Sequence, residues 1–175
     1  MQSRRPYTAV RIGLAALTAL ALVPGCAGYR LGSTLPPGIR SVAVPVFVNR
    51  TNKPELAVEA TNATLREFQQ DGSLRVADAE TADAVLDVIL TGYRLEPVRY
   101  QTGRRTTANE YRITLTAHAT LKNRTTGAVL FDNPKLAEDA AFTVSGDLLS
   151  AERSALPTAA RNLGRKIVER VLETW

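Results

Sequence analysis

From Glu110 to Lys122 the chain alternates without a break. Tyr111, Ile113, Leu115, Ala117, Ala119 and Leu121 fall on one side, and Arg112, Thr114, Thr116, His118, Thr120 and Lys122 on the other. A two-residue period predicts a strand with one face packed and the other wet. Asn123 to Gly127 (NRTTG) follows as a hairpin turn, with Gly127 at the position that needs φ > 0, and Ala128–Phe131 is the expected return strand. Upstream, Ile39–Val48 (IRSVAVPVFV) reads as a Val-rich strand in which Pro45, lacking an N–H, marks an edge or a bulge. Leu74–Ala77 reads as a short strand and Ala84–Leu95 as a longer one.

Two segments carry the helical period instead. Asn52 is the expected cap of the first, with Pro54 in its opening turn and Glu55 at capping-box spacing. Its face is Ala57, Val58, Thr61, Leu65 and Phe68, and Asp71-Gly72 ends it. The second runs from about Ser154 to Thr174, with Leu156, Ala160, Leu163, Ile167, Val171 and Thr174 as its stripe and Pro157 in the first turn, where proline is tolerated. Both stripes must be buried, and so must the apolar face of Glu110–Lys122. The expected fold is α+β: two helices on one face of a mostly antiparallel sheet of about four strands.

The first 25 residues follow a different pattern. Arg4, Arg5 and Arg11 precede Ile12–Val23 (IGLAALTALALV), an apolar run interrupted only by Gly13 and Thr18 and too short to span a bilayer. Val23-Pro24-Gly25-Cys26 closes it. A small residue before a cysteine fits a cleavage pocket, and this resembles the lipobox of bacterial lipoproteins, with Val23 and Pro24 as departures from the commonest pattern. The resemblance implies cleavage between Gly25 and Cys26, and a diacylglycerol plus an N-acyl chain of palmitate type on Cys26. Cys26 is the single cysteine, so it has no disulfide partner. Residues 26–38 form a Gly/Pro-rich lipidated tether, and 39–175 form the periplasmic domain. Ala27, rather than Asp, follows the cysteine, which favours outer-membrane delivery.

Charge changes the picture once the leader is set aside. Residues 1–25 hold three of the 22 Lys and Arg and no acid, so the mature chain carries 19 bases against 17 acids. Such a balance gives no reason to expect nucleic-acid binding. One histidine and one acylated cysteine supply neither a metal cluster nor a Cys–His couple. His118 reads as a solvated residue of the polar strand face, Asp83 as a strand-edge residue and Glu138-Asp139 as loop charge. No enzyme activity and no cofactor beyond the covalent lipid are expected. One feature could touch a ligand: Arg94, Arg99, Arg104, Arg105 and Arg112 flank the expected loop between two strands, with Tyr93, Tyr100 and Tyr111 interleaved. Guanidinium groups pair bidentately with phosphates.

Gly28-Tyr29-Arg30-Leu31, Ser41–Thr51 (SVAVPVFVNRT), Ala82–Leu86 (ADAVL), Gly92-Tyr93, Glu110–Leu115 (EYRITL), Thr126–Leu130 (TGAVL) and the terminal Trp175 together resemble the LptE family of lipopolysaccharide-assembly lipoproteins. The resemblance implies an outer-membrane lipoprotein that plugs and helps assemble an LptD-like β-barrel and helps deliver lipopolysaccharide to the cell surface. It implies as partners that barrel, lipopolysaccharide and the inner leaflet of the outer membrane, with no obligatory homo-oligomer. Lipid A phosphates make Arg99, Arg104, Arg105 and Arg112 the candidate contacts. The Val-rich strand with Asn49-Arg50-Thr51 also resembles periplasmic lipoproteins that activate peptidoglycan synthases or serve secretion, a scaffold role without lipopolysaccharide.

Overall fold

The structure, a computed structural model, describes residues 38–101 and 104–173. The leader, Cys26, the tether up to Pro37, and Trp175 lie outside the described residues. The elements are β1 (Ser41–Ala43), β2 (Val48–Asn49), α1 (Leu56–Asp71), β3 (Arg75–Val76), β4 (Ala84–Gln101), β5 (Arg104–Asn123), β6 (Val129–Thr143) and α2 (Leu148–Glu173).

The fold is α+β with two helices, as the patterns require, but the sheet has six strands and is mixed. Its order is β3-β1-β4-β5-β6, with β2 also beside β4. β1 runs parallel to both β3 and β4, and β2 runs parallel to β4. Only β4, β5 and β6 form the antiparallel meander. The expectation of four mostly antiparallel strands fails for a physical reason. Pro45 breaks the first strand into two short pieces, and α1 carries the chain back so that β3 runs alongside β1, which a hairpin could not do.

Both helices start elsewhere than expected. α1 begins at Leu56, Glu55 makes no side-chain cap, and Gly72 closes the helix in the left-handed conformation at φ 74°. The polar residues before it fold on Asn49 instead: its Oδ1 accepts from the Thr51 N–H and hydroxyl, and its Nδ2 donates to the Lys53 carbonyl. Thr61 and Phe68 are buried as expected, and the rest of the stripe is Leu56, Ala60, Ala63 and Thr64, leaving Val58 exposed. α2 begins at Leu148, capped by Asp147, whose carboxylate accepts from the Leu149 and Ser150 N–H groups. Pro157 therefore lies inside the helix, where it withholds one N–H from the ladder.

The core lies between the sheet and the helices. Leu86 and Leu90 of β4, Ile113, Leu115 and Leu121 of β5, Phe68 of α1, and Leu163 and Ile167 of α2 are fully buried in it. The alternation of β5 is realised residue by residue: Ile113, Leu115, Ala117, Ala119 and Leu121 are buried, and the residues between them face away.

Candidate functional site

The expected arginine loop is no loop. β4 and β5 continue through it, pairing as far as Gln101↔Arg104, so the segment is a ribbon extending the meander. β6 accompanies β5 only to Thr143↔Glu110, and beyond that pair the ribbon is two-stranded. Tyr111 and Phe142 stack at its root with centroids 6.1 Å apart. Val98 and Tyr100, farther out, are exposed.

The predicted site residues divide along this ribbon. Arg99 stands opposite Glu110 and Arg112 opposite Glu96 in the register, a ladder of alternating charge. Arg99 Nε lies 3.4 Å from Glu110 Oε2, Arg112 Nε 3.8 Å from Asp139 Oδ2, and Arg94 Nη1 3.4 Å from Glu96 Oε1. These are solvent-exposed pairs, each worth no more than about 1 kcal/mol, so an incoming phosphate could compete for the guanidinium groups. Arg104 and Arg105 open β5 at the end of the ribbon, where Gln101↔Arg104 is the last pair, and their side chains lie outside the described residues. The structure thus brings Arg99 and Arg112 together with carboxylates. Glu138 and Asp139 are not loop charge either, because β6 extends through them.

The other singled-out groups are structural. Asp83 Oδ2 accepts from the Ser41 hydroxyl at 2.7 Å and from the Arg40 N–H at 3.0 Å, and these bonds, the hydroxyl first, hold its pKa below the ordinary carboxylate value. His118 is not simply solvated: its Nε2 lies 2.7 Å from Asp132 Oδ1, which also accepts from the Thr120 hydroxyl. The His118 bond, then that of Thr120, lowers the Asp132 pKa.

Sequence reasoning missed one cluster. Glu152 sits in α2 with a side chain 10% exposed, bonded to Lys53 from the segment before α1 and to the Tyr93 hydroxyl of β4, which donates at 2.5 Å. The Lys53 ammonium also stands 5.1 Å from the centre of the Tyr93 ring, within cation–π range. The signal was present: Glu152 falls four residues before Leu156 on the apolar stripe of α2, where an acid needs a partner. Burial first, and then the bond to Glu152, raises the Tyr93 phenol well above its ordinary value. For Glu152, burial is the largest influence and pushes upward, but the Lys53 and Tyr93 bonds and the Lys53 charge together outweigh it, and its pKa is lowered.

A lowered folded-state carboxyl contributes stability that is present above the unfolded value, near 4.5 here, and lost as pH falls through the folded value. The thermal midpoint of the wild type should therefore approach that of Glu152→Gln as pH drops below about 4.5. Melts of both proteins across the acid range check this; parallel curves would show that Glu152 titrates unperturbed.

Among the described residues no His, Cys, Asp or Glu group of three or more is placed to hold a metal ion, and no helix is long and apolar enough to cross a membrane. The model of the family described as "LptE: Lipopolysaccharide-assembly" matches residues 39–171. No curated protein matches the chain. Among solved structures, a protein from Xanthomonas campestris is similar at TM-score 0.57 and 13% identity, over 82% of this chain and 89% of that one. A hypothetical protein from Chlamydia trachomatis is similar at TM-score 0.52 and 14% identity, over 78% and 97%. Lipoprotein B from Nitrosomonas europaea is similar at TM-score 0.50 and 12% identity, over 83% and 88%. At these identities the structural likenesses establish the fold.

Proposed function

Because the chain belongs to the LptE lipopolysaccharide-assembly family, a family of non-enzymatic envelope lipoproteins, we propose that it is an outer-membrane lipoprotein that assists an LptD-like barrel in delivering lipopolysaccharide. The family match across nearly the whole folded domain carries this reading. In it, the leader is removed before Cys26, two or three acyl chains on that cysteine give firm anchoring where one would be marginal, and the domain occupies the barrel lumen.

Two features support the reading. The sheet face away from the helices is polar along β5, with Thr114, Thr116, His118 and Thr120, and is suited to a wet barrel interior. The ribbon carries arginines at its end and exposed Val98 and Tyr100 beside Arg99, a combination that suits an amphiphile with phosphates. Lipid A then meets Arg104 and Arg105 first, while Arg99 and Arg112 exchange their carboxylate partners for phosphate.

Affinity purification of the tagged, lipidated protein from its native envelope tests the partnership. A large β-barrel in near one-to-one amount is the expected result. A penicillin-binding protein or a secretion complex, with no barrel, would replace this function with a scaffold role. Replacing Arg104 and Arg105 with Glu should weaken lipopolysaccharide binding by about tenfold or more at low salt, each lost charge-assisted bond being worth roughly 1.5–3 kcal/mol, with the melting curve unchanged. Undiminished binding at low salt would remove the ribbon from the lipid path.

A further inference from the structure

β6 is the outer strand of the meander, with β5 on one side and no strand on the other among the described residues. The Val144 N–H donates to the Asn109 carbonyl at 2.9 Å, which sets the alternation along this strand. Phe142, Ala140 and Glu138 turn their main-chain groups toward β5, so Thr143, Ala141, Asp139 and Ala137 turn theirs outward. Two places along this edge are occupied from within the chain. At Asp139, the Asn162 side chain of α2 donates to the outward carbonyl at 2.9 Å. Below Leu136 the register shifts, Pro134 has no N–H to offer, and the Lys135 N–H is taken by Asn133 Oδ1 at 3.1 Å. Bulges and prolines of this kind protect an edge from full-length strand pairing. They leave Ala137 as an outward main-chain donor and acceptor between Lys135, whose N–H is taken, and the Asp139 carbonyl held by Asn162.

Ala137 opens into a groove of about 510 Å³ between β6 and the last turns of α2. Phe131 and Leu136 form its apolar floor. Among the described residues lining it, its walls carry Lys135, Lys166 and Arg170 and the carboxylate of Glu173. Arg170 pairs with Glu173 at 3.0 Å and Lys166 reaches Glu169 only at 4.0 Å. The described lining is therefore net cationic, even with Glu169 counted against Lys166, and a strand edge beside a helix is a geometry in which extended peptides are captured by main-chain bonds.

We propose that this groove seats a short, extended, acidic segment of a partner protein, paired through its main chain with Ala137 and through alternate carboxylates with Lys135 and Lys166. The segment is short because the stretch between Pro134 and the carbonyl held by Asn162 spans about four residues, or roughly 14 Å at 3.4 Å per residue. The proposal is independent of the ribbon and of lipopolysaccharide.

Fluorescence anisotropy of the full-length protein in detergent tests it with three labelled hexapeptides: alternating Val-Glu, alternating Val-Lys, and Val-Glu with alternate backbone nitrogens methylated. The acidic peptide should bind about tenfold more tightly than the basic one, a difference of 1.4 kcal/mol. Lys135→Glu combined with Lys166→Gln should erase that preference, and methylation should weaken binding about fivefold or more by removing the strand pairing. Arg104→Glu/Arg105→Glu should bind as the wild type does. Equal binding of acidic and basic peptides overturns the proposal, and so does acidic binding that methylation leaves unchanged, which would be charge attraction alone.

Discussion

Gly164→Val is expected to lower the thermal midpoint of the domain by roughly 10 °C or more. Gly164 lies in α2 where it crosses α1. A Cβ built there would meet the Thr64 backbone N at 2.9 Å, the Ala63 carbonyl carbon at 3.1 Å and Thr64 Oγ1 at 3.1 Å. Two of those three atoms are main chain, so no rotamer change can clear them, and the helices must part. Parting them disturbs the burial of Ala60, Ala63 and Phe68 on one side and Leu163 and Ile167 on the other.

Gly164→Ala separates the opposing contributions. Alanine favours the helix over glycine by about 1 kcal/mol, whereas overpacking costs about 1–3 kcal/mol. The contact is with backbone, so the overpacking wins and the alanine variant should also melt lower, by a few degrees. Adding Thr64→Ala removes the Oγ1 contact but not the backbone ones, and should restore little. A stabilised Gly164→Ala protein, in calorimetry or circular-dichroism melts, would mean that α1 gives way easily and that the crossing is loose.

That close crossing was only half legible in the sequence. The stripes of both helices announced a shared core, and the stripe from Leu156 through Val171 is buried as expected. A glycine inside a helical pattern, however, shows only a cost in propensity, not what it approaches. β5 was legible from Glu110 onward because its alternation runs unbroken over a dozen residues, but its first residues, from Arg104, read as loop. β6 was legible only at its start, the expected return strand at Ala128–Phe131: Pro134 and the Glu138-Asp139 pair look like loop, yet an edge strand with a bulge accommodates them. β1, β2 and β3 have only two or three residues each, so their parallel pairing is decided by how α1 returns the chain, which no local pattern encodes. At the ribbon, the arginines were visible but their partners were not, since Arg112–Asp139 joins residues on different strands. The missed early start of α2 hid Glu152: extending the Leu156 stripe back by one turn reaches it, but the segment was taken to precede the helix.

Lys53→Met is the second change expected to have a large effect, and its pH dependence identifies the cause. The Glu152 side chain is 10% exposed and that of Lys53 23%, so the pair is mostly withdrawn from water. Breaking a fully buried pair costs roughly 3–5 kcal/mol, and with Lys53 about a quarter accessible the expected loss at pH 7 is nearer 2–3 kcal/mol. The loss arises from the carboxylate left behind, not from the missing methylene–ammonium stem, whose shape methionine largely keeps. Without Lys53, the burial of Glu152 is opposed only by the Tyr93 hydroxyl, and its pKa must rise. A group whose folded pKa rises above its unfolded value destabilises the fold at high pH and ceases to do so as it becomes protonated. The stability gap between wild type and Lys53→Met should therefore be widest near neutrality and narrow steadily in acid. In the wild type the same carboxyl is lowered, so its contribution fades over the same range and the two curves converge. Lys53→Met with Glu152→Gln removes the stranded charge while keeping a side chain that can still accept from Tyr93, and should recover most of the loss at pH 7. Urea unfolding of the four proteins at several pH values measures the cycle. A gap that stays constant with pH, or a double variant no better than Lys53→Met alone, would show that Lys53 acts by packing over the Tyr93 ring and not by neutralising Glu152.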